Sequence, residues 1–182
     1  MKSFQNFREE MEQELEALEE SSISRIVDKV KKGGTAAISA ERGDKSKKEN
    51  KARSKSLEKD IRGRGMCMTK ATGKFVETDS EGKRKEVDER SYVVTPGKKG
   101  KRKFKKEVSK LGKKYDQDSV LIKQKKGLDK KASWLGTTDR KDAWTKKGKK
   151  TDQGKLSTKD ANKPLTPGEG GTKIGKKTYQ FK

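Results

Sequence analysis

The chain has 182 residues, of which 26% are hydrophobic and 43% charged, with 50 Lys+Arg against 28 Asp+Glu, no histidine and a formal net charge of +22. That balance allows one compact domain of modest core with polar extensions, and it makes a polyanion, nucleic acid above all, the expected partner. Cys67 is the single cysteine, so no internal disulfide, Cys zinc site, Cys–His pair or Ser–His pair can be built, and no EF-hand spacing occurs.

Residues 3–20 carry Phe4, Phe7, Met11, Leu15 and Leu18 at helical spacing, with Ser3 as N-cap and glutamates on the other faces. This acidic amphipathic segment reads either as packing on the protein's own core or as a helix that docks on a partner or on itself. Ile23, Ile26, Val27 and Val30 form a second short apolar face that ends at Gly33-Gly34. Thr35–Ala40 is short, apolar and partly β-branched, which predicts a buried strand. A polar turn follows at 41–44, then a helix over 45–62 with Ala52, Leu57 and Ile61 inward, stopped by Gly63 and Gly65.

Residues 66–76 suggest a hairpin turning at Ala71-Thr72-Gly73, followed by a charged loop over 78–86. Ser91–Val94 reads as a strand closed by Pro96-Gly97. Phe104, Val108, Leu111 and Tyr115 then mark a helix over 101–115. Ser119–Ile122 and Ala132–Leu135 complete the expected strands. Residues 137–177 show isolated apolar residues, many lysines and no period, and are expected to form a flexible basic region. Residues 178–182 can return as an edge strand.

The expected fold is α+β, a small sandwich with one mainly antiparallel sheet packed by two or three helices. Its divisions are an N-terminal helical segment over 1–32, a core over 35–136, the lysine-rich region over 137–177 and the terminal strand.

Several short stretches carry a resemblance. They are Ile38-Ser39-Ala40-Glu41-Arg42, Glu49-Asn50 with Arg53, Gly73 with Glu77, Val87-Asp88-Glu89-Arg90-Ser91, Tyr115-Asp116-Gln117-Asp118-Ser119-Val120 and Gly175–Phe181. Together they resemble a family of uncharacterised small α/β proteins encoded by bacteriophages and prophages. The opening Met1-Lys2-Ser3-Phe4-Gln5-Asn6-Phe7 is similar to short structural proteins of T4-like marine phages. The resemblance implies a viral origin and a compact mid-chain domain, and it brings no activity with it.

The expected nucleic-acid surface is Lys98, Lys99, Lys101, Arg102, Lys103, Lys105, Lys106, Lys110, Lys113 and Lys114, extended by Lys123, Lys125 and Lys126. Lysine outnumbers arginine fourfold, which favours sequence-independent phosphate contact, with DNA preferred over RNA. A second constellation, Glu41, Arg42, Asn50, Arg53, Glu77, Glu89 and Gln117, lies near strand ends and a helix start and could converge on a polar pocket. Salt bridges and caps account for the same residues more simply.

These readings lead to a non-enzymatic nucleic-acid-binding protein with no cofactor and no metal. The alternatives are a structural component of a virus particle docked through its acidic helix, or an inhibitor of a host enzyme. No apolar stretch reaches the length of a membrane span, so host cytoplasm or virion is the expected location.

Overall fold

The computed structural model describes residues 24–25, 27–32, 34–78, 84–97, 103–127, 130–139, 145–154, 156–160, 170–174 and 177–181. Helical residues 27–32 (α1) precede β1 (Thr35–Ser39), α2 (Lys47–Gly63), β2 (Cys67–Thr78), β3 (Arg84–Thr95) and α3 (Phe104–Lys114). Then come β4 (Ser119–Lys123), β5 (Ala132–Gly136), β6 (Lys150–Gly154), β7 (Leu156–Asp160), β8 (Gly170–Ile174) and β9 (Lys177–Phe181). One sheet with the order β6-β5-β4-β1-β3-β2-β8-β9-β7 is antiparallel throughout, which bears out the expected α+β class.

β6 and β7 lie at the two ends of that order, yet a single residue joins them. A flat nine-stranded sheet would hold its edges roughly 38 Å apart at about 4.8 Å per strand. One linking residue spans only roughly 7 Å. The sheet is therefore strongly curled, bringing its two edges within reach of that residue.

Alternation along the central strands sends even-numbered residues to the helix-covered face. Ala36 and Ile38 of β1, Tyr92 and Val94 of β3, and Val120 and Ile122 of β4 pack with Leu57 and Ile61 of α2 and Phe104, Val108 and Leu111 of α3. α2 lies over β2 and β3, and α3 over β1 and β4. α2 starts as its sequence dictates: the Ser46 side chain accepts from the Glu49 N–H, and the Glu49 carboxylate accepts from the Ser46 N–H at 2.9 Å. Gly97 has a φ of +60°, and a Cβ there would collide with the Gly65 carbonyl oxygen. The close approach of these two turns requires glycine.

Asp60 joins the two helices. It accepts from Lys114 Nζ at 2.6 Å and from the Tyr115 hydroxyl at 2.8 Å. The Lys114 hydrogen bond holds its carboxyl below the usual aspartate range, burial opposing and Tyr115 assisting. A carboxylate depressed in the folded state contributes stability above its unfolded pKa of about 3.9, and that contribution is lost as pH falls through the lower folded value. In urea titrations from about pH 5 down to about pH 2, Asp60→Asn should therefore show a shallower loss of stability than the parent. Parallel loss in both proteins would contradict this role.

Two expectations are corrected. β2 runs unbroken through Gly73, which pairs with Glu89, so the 71–73 turn is absent and part of the expected 78–86 loop is strand. The stretch 137–177 contains β6, β7 and β8 rather than only flexible chain. Their pairing with β5, β9 and β2 supplies main-chain hydrogen bonds that need no apolar periodicity.

Candidate functional site

α2 presents Lys51, Ser54, Lys55 and Glu58 along one stripe, at the spacing that aligns side chains on a helix face. That stripe faces the long β2–β3 ladder. Together with Lys70 and Ala71 of β2 and Arg90, Ser91 and Tyr92 of β3, it lines a half-open groove of about 310 Å³. The register explains which residues meet there. Lys70 pairs with Tyr92, and opposite residues of an antiparallel ladder share a face, so Lys70, Arg90 and Tyr92 all lie on the helix side.

Tyr92 is 5% exposed, and its hydroxyl donates to the Ser54 carbonyl at 3.0 Å. Burial, with Glu58 and Glu41 nearby, raises its pKa above the usual tyrosine value, so the phenol stays protonated and serves as a floor. Glu58 stands on the wall, 3.2 Å from the Arg62 guanidinium and 3.6 Å from Lys70 Nζ. Glu41 reaches the groove from behind. It accepts from the Ser54 hydroxyl at 3.3 Å and the Arg90 N–H at 3.1 Å, and lies 3.8 Å from Arg90 Nε. Two carboxylates, the cations paired with them (Arg62, Lys70 and Arg90), the lysines Lys51 and Lys55 and an aromatic floor thus meet at one groove, which offers both signs of charge to an organic ligand.

A second cavity of about 490 Å³, lined by Gly63, Arg64, Met66, Pro96, Lys103, Phe104 and Glu107, lies at the other end of α2. Its one acid is committed to Arg64 and Lys110. Burial pushes the Glu107 carboxyl up, but these two hydrogen bonds outweigh it and the net shift is downward. The larger cavity is lined by Glu107 with Arg64 and Lys103, fewer charged groups than the groove's Glu58, Lys51, Lys55, Lys70 and Arg90.

The expected polar constellation divides. Glu41, Arg42, Asn50, Arg53 and Gln117 do come together, but mostly to tie main chain. Asn50 exchanges hydrogen bonds with the Arg42 N–H and carbonyl, Arg53 donates to the Ala40 and Tyr115 carbonyls, and Gln117 donates to the Glu41 carbonyl. Arg42 pairs with Asp44 and Asp116. Of this set Glu41 hydrogen-bonds to groove-lining residues, through the Ser54 hydroxyl and the Arg90 N–H. Glu89 falls one register position from Arg90, on the face away from the helices, and along β2 Glu77 pairs with Lys85, four residues from the Gly73–Glu89 pair. Among the described residues no group of three potential metal ligands occurs.

The basic surface also divides. Lys123 is 2% exposed and donates to the carbonyls of Val30 at 3.3 Å, Lys125 at 2.7 Å and Gly127 at 2.5 Å. It is a structural cation and no part of a phosphate-contacting surface. Lys110 and Lys114 pair with Glu107 and Asp60. Lys103, Lys106, Lys113, Lys125 and Lys126 are exposed and Lys105 is half-buried. Lys98, Lys99, Lys101 and Arg102, and the docking stripe Phe4, Phe7, Met11, Leu15 and Leu18, lie outside the described residues.

Sequence reasoning missed Glu58, Tyr92, Lys70 and Arg90 as a group. Their only sequence signal is weak: Ser54 and Glu58 share a helix face, and Arg90 and Tyr92 share a strand face.

The model of the S-adenosylmethionine lyase family matches residues 36–182, from β1 through the basic region to the chain's end. No curated protein matches the chain. The family match overturns the assignment to an uncharacterised phage family, the non-enzymatic reading and the nucleic-acid-binding function. Among the described residues no helix is long and apolar enough to cross a membrane.

Proposed function

The chain belongs to the S-adenosylmethionine lyase family, and we propose that it cleaves a carbon–sulfur bond of S-adenosylmethionine without water, in the groove between α2 and the β2–β3 ladder. The family match over residues 36–182 is the observation that carries this reading.

The chemistry explains how a chain without histidine can be an enzyme. The sulfonium makes its neighbouring carbons electrophilic and leaves as a neutral thioether. The substrate also carries its own nucleophile, the α-carboxylate, placed to close a five-membered ring on Cγ. As the carboxylate oxygen bonds to Cγ, the Cγ–S bond breaks and sulfur keeps the electron pair. The products are methylthioadenosine and homoserine lactone, and no proton moves. Neither a protein nucleophile nor a general base is required.

What remains for the protein is to hold the chain of the substrate folded and to exclude water. Well-oriented intramolecular reactions reach effective molarities worth about 7–11 kcal/mol of barrier. The step also joins a carboxylate to a sulfonium and loses both charges, so a partly desolvated groove favours it over bulk water. In this reading Glu58 holds the α-ammonium, which keeps its charge throughout. Tyr92 forms the floor, and Glu41 holds the Arg90 guanidinium at the hairpin wall.

The test is incubation with S-adenosylmethionine in ¹⁸O-water. Methylthioadenosine and a lactone without label at the Cγ–O bond are expected. Label at Cγ would mean displacement by water, and absence of turnover would overturn the assignment.

A further inference from the structure

The charges of the groove do not balance for S-adenosylmethionine alone. Glu58 has Arg62 and Lys70 as partners, and Glu41 has Arg90. Lys51 and Lys55, one helical turn apart on α2, both line the groove and are exposed. Neither side chain makes a hydrogen bond or ion pair with another described residue. S-adenosylmethionine brings two positive charges and one negative, so two further ammonium groups at the mouth repel it. They are instead complementary to an anion. Side chains one turn apart lie roughly 6 Å from each other at their bases, and flexible lysine stems let both reach a single di- or triphosphate chain.

We propose that the groove also admits adenosine di- and triphosphate, with the adenosine in the position of the substrate's adenosyl group and the phosphates held by Lys51 and Lys55. This rests on reading the groove as the adenosyl site. Nucleotide and substrate then exclude each other, and adenine nucleotides are competitive inhibitors whose strength rises with phosphate number and falls with salt.

The experiment measures inhibition and direct binding of adenosine, AMP, ADP, ATP and tripolyphosphate to the full chain at two salt concentrations. Expected are competitive inhibition against S-adenosylmethionine, the order ATP above ADP above AMP, and a loss of about tenfold or more in ATP affinity in the Lys51→Gln/Lys55→Gln double variant. Lys106→Gln/Lys113→Gln, which removes the same charge from exposed sites on α3, serves as control. An equal loss in the control, or tripolyphosphate binding as tightly as ATP, would show diffuse attraction to a basic protein and overturn the proposal. Glu58→Gln separates the two readings. If it impairs turnover while ATP fails to compete, only this inference falls. If turnover is indifferent to Glu58, the location of the site falls with it.

Discussion

Glu58→Gln is expected to lower kcat/KM for S-adenosylmethionine by about 30-fold, mainly through KM. The carboxylate faces the groove from α2 and is 24% exposed, with Arg62 at 3.2 Å and Lys70 at 3.6 Å. A hydrogen bond to a charged group contributes about 1.5–3 kcal/mol, which brackets the expected loss. The α-ammonium that it is proposed to hold keeps its charge through the reaction, so ground state and transition state would lose nearly equal binding. Partly exposed ion pairs contribute little to stability, about 0–1 kcal/mol, so the melting temperature should hardly change. Steady-state kinetics with a thermal melt checks both parts. A variant with kcat/KM within threefold of the parent would place the site elsewhere.

Lys123→Met should destabilise the fold by about 3 kcal/mol, the largest stability effect expected of a single lysine in this chain. Most of the described lysines are exposed, but this ammonium is buried and bridges two segments. It donates to the Val30 carbonyl in α1 and to the Lys125 and Gly127 carbonyls in the β4–β5 turn. The last carbonyls of a helix have no partner within it, so Lys123 supplies one for α1. Methionine keeps much of the volume and forms no large cavity, so the cost comes from the buried Val30 carbonyl and the two part-buried carbonyls left without their donor. For a chain of this size the melting temperature should fall by roughly 6–12 °C. Hydrogen exchange should show early loss of protection in α1 and the β4–β5 turn. An unchanged melting temperature would mean that other donors replace the ammonium at no cost.

The same residue shows the limit of sequence reading. In a run of lysines Lys123 looks like one more surface charge, because composition does not distinguish a lysine on a strand's covered face from its neighbours. Only the docking of α1, through Val30 and the Gly127 N–H to the Lys31 carbonyl, converts it into a buried donor. The groove is non-local in the same way. Glu58 and Tyr92 lie in different elements, and the β2–β3 register decides that Lys70, Arg90 and Tyr92 share the helix side while Glu89 does not.

Local signals decided other parts from the chain alone. The Ser46–Glu49 capping box and the Leu57–Ile61 spacing specify α2, and Phe104, Val108 and Leu111 specify α3. The short apolar runs specify β1, β4 and β5, because a strand or helix buried on one face must repeat its apolar residues at its own period. β6, β7 and β8 escaped, since strands held by main-chain pairing carry no such requirement. Catalysis escaped for a chemical reason. Lack of histidine rules out the common proton-transfer machinery, but a substrate with its own nucleophile and leaving group asks only to be bound in a folded conformation. In the proposed reading that demand falls to a surface assembled from separate elements, which leaves no motif along the chain.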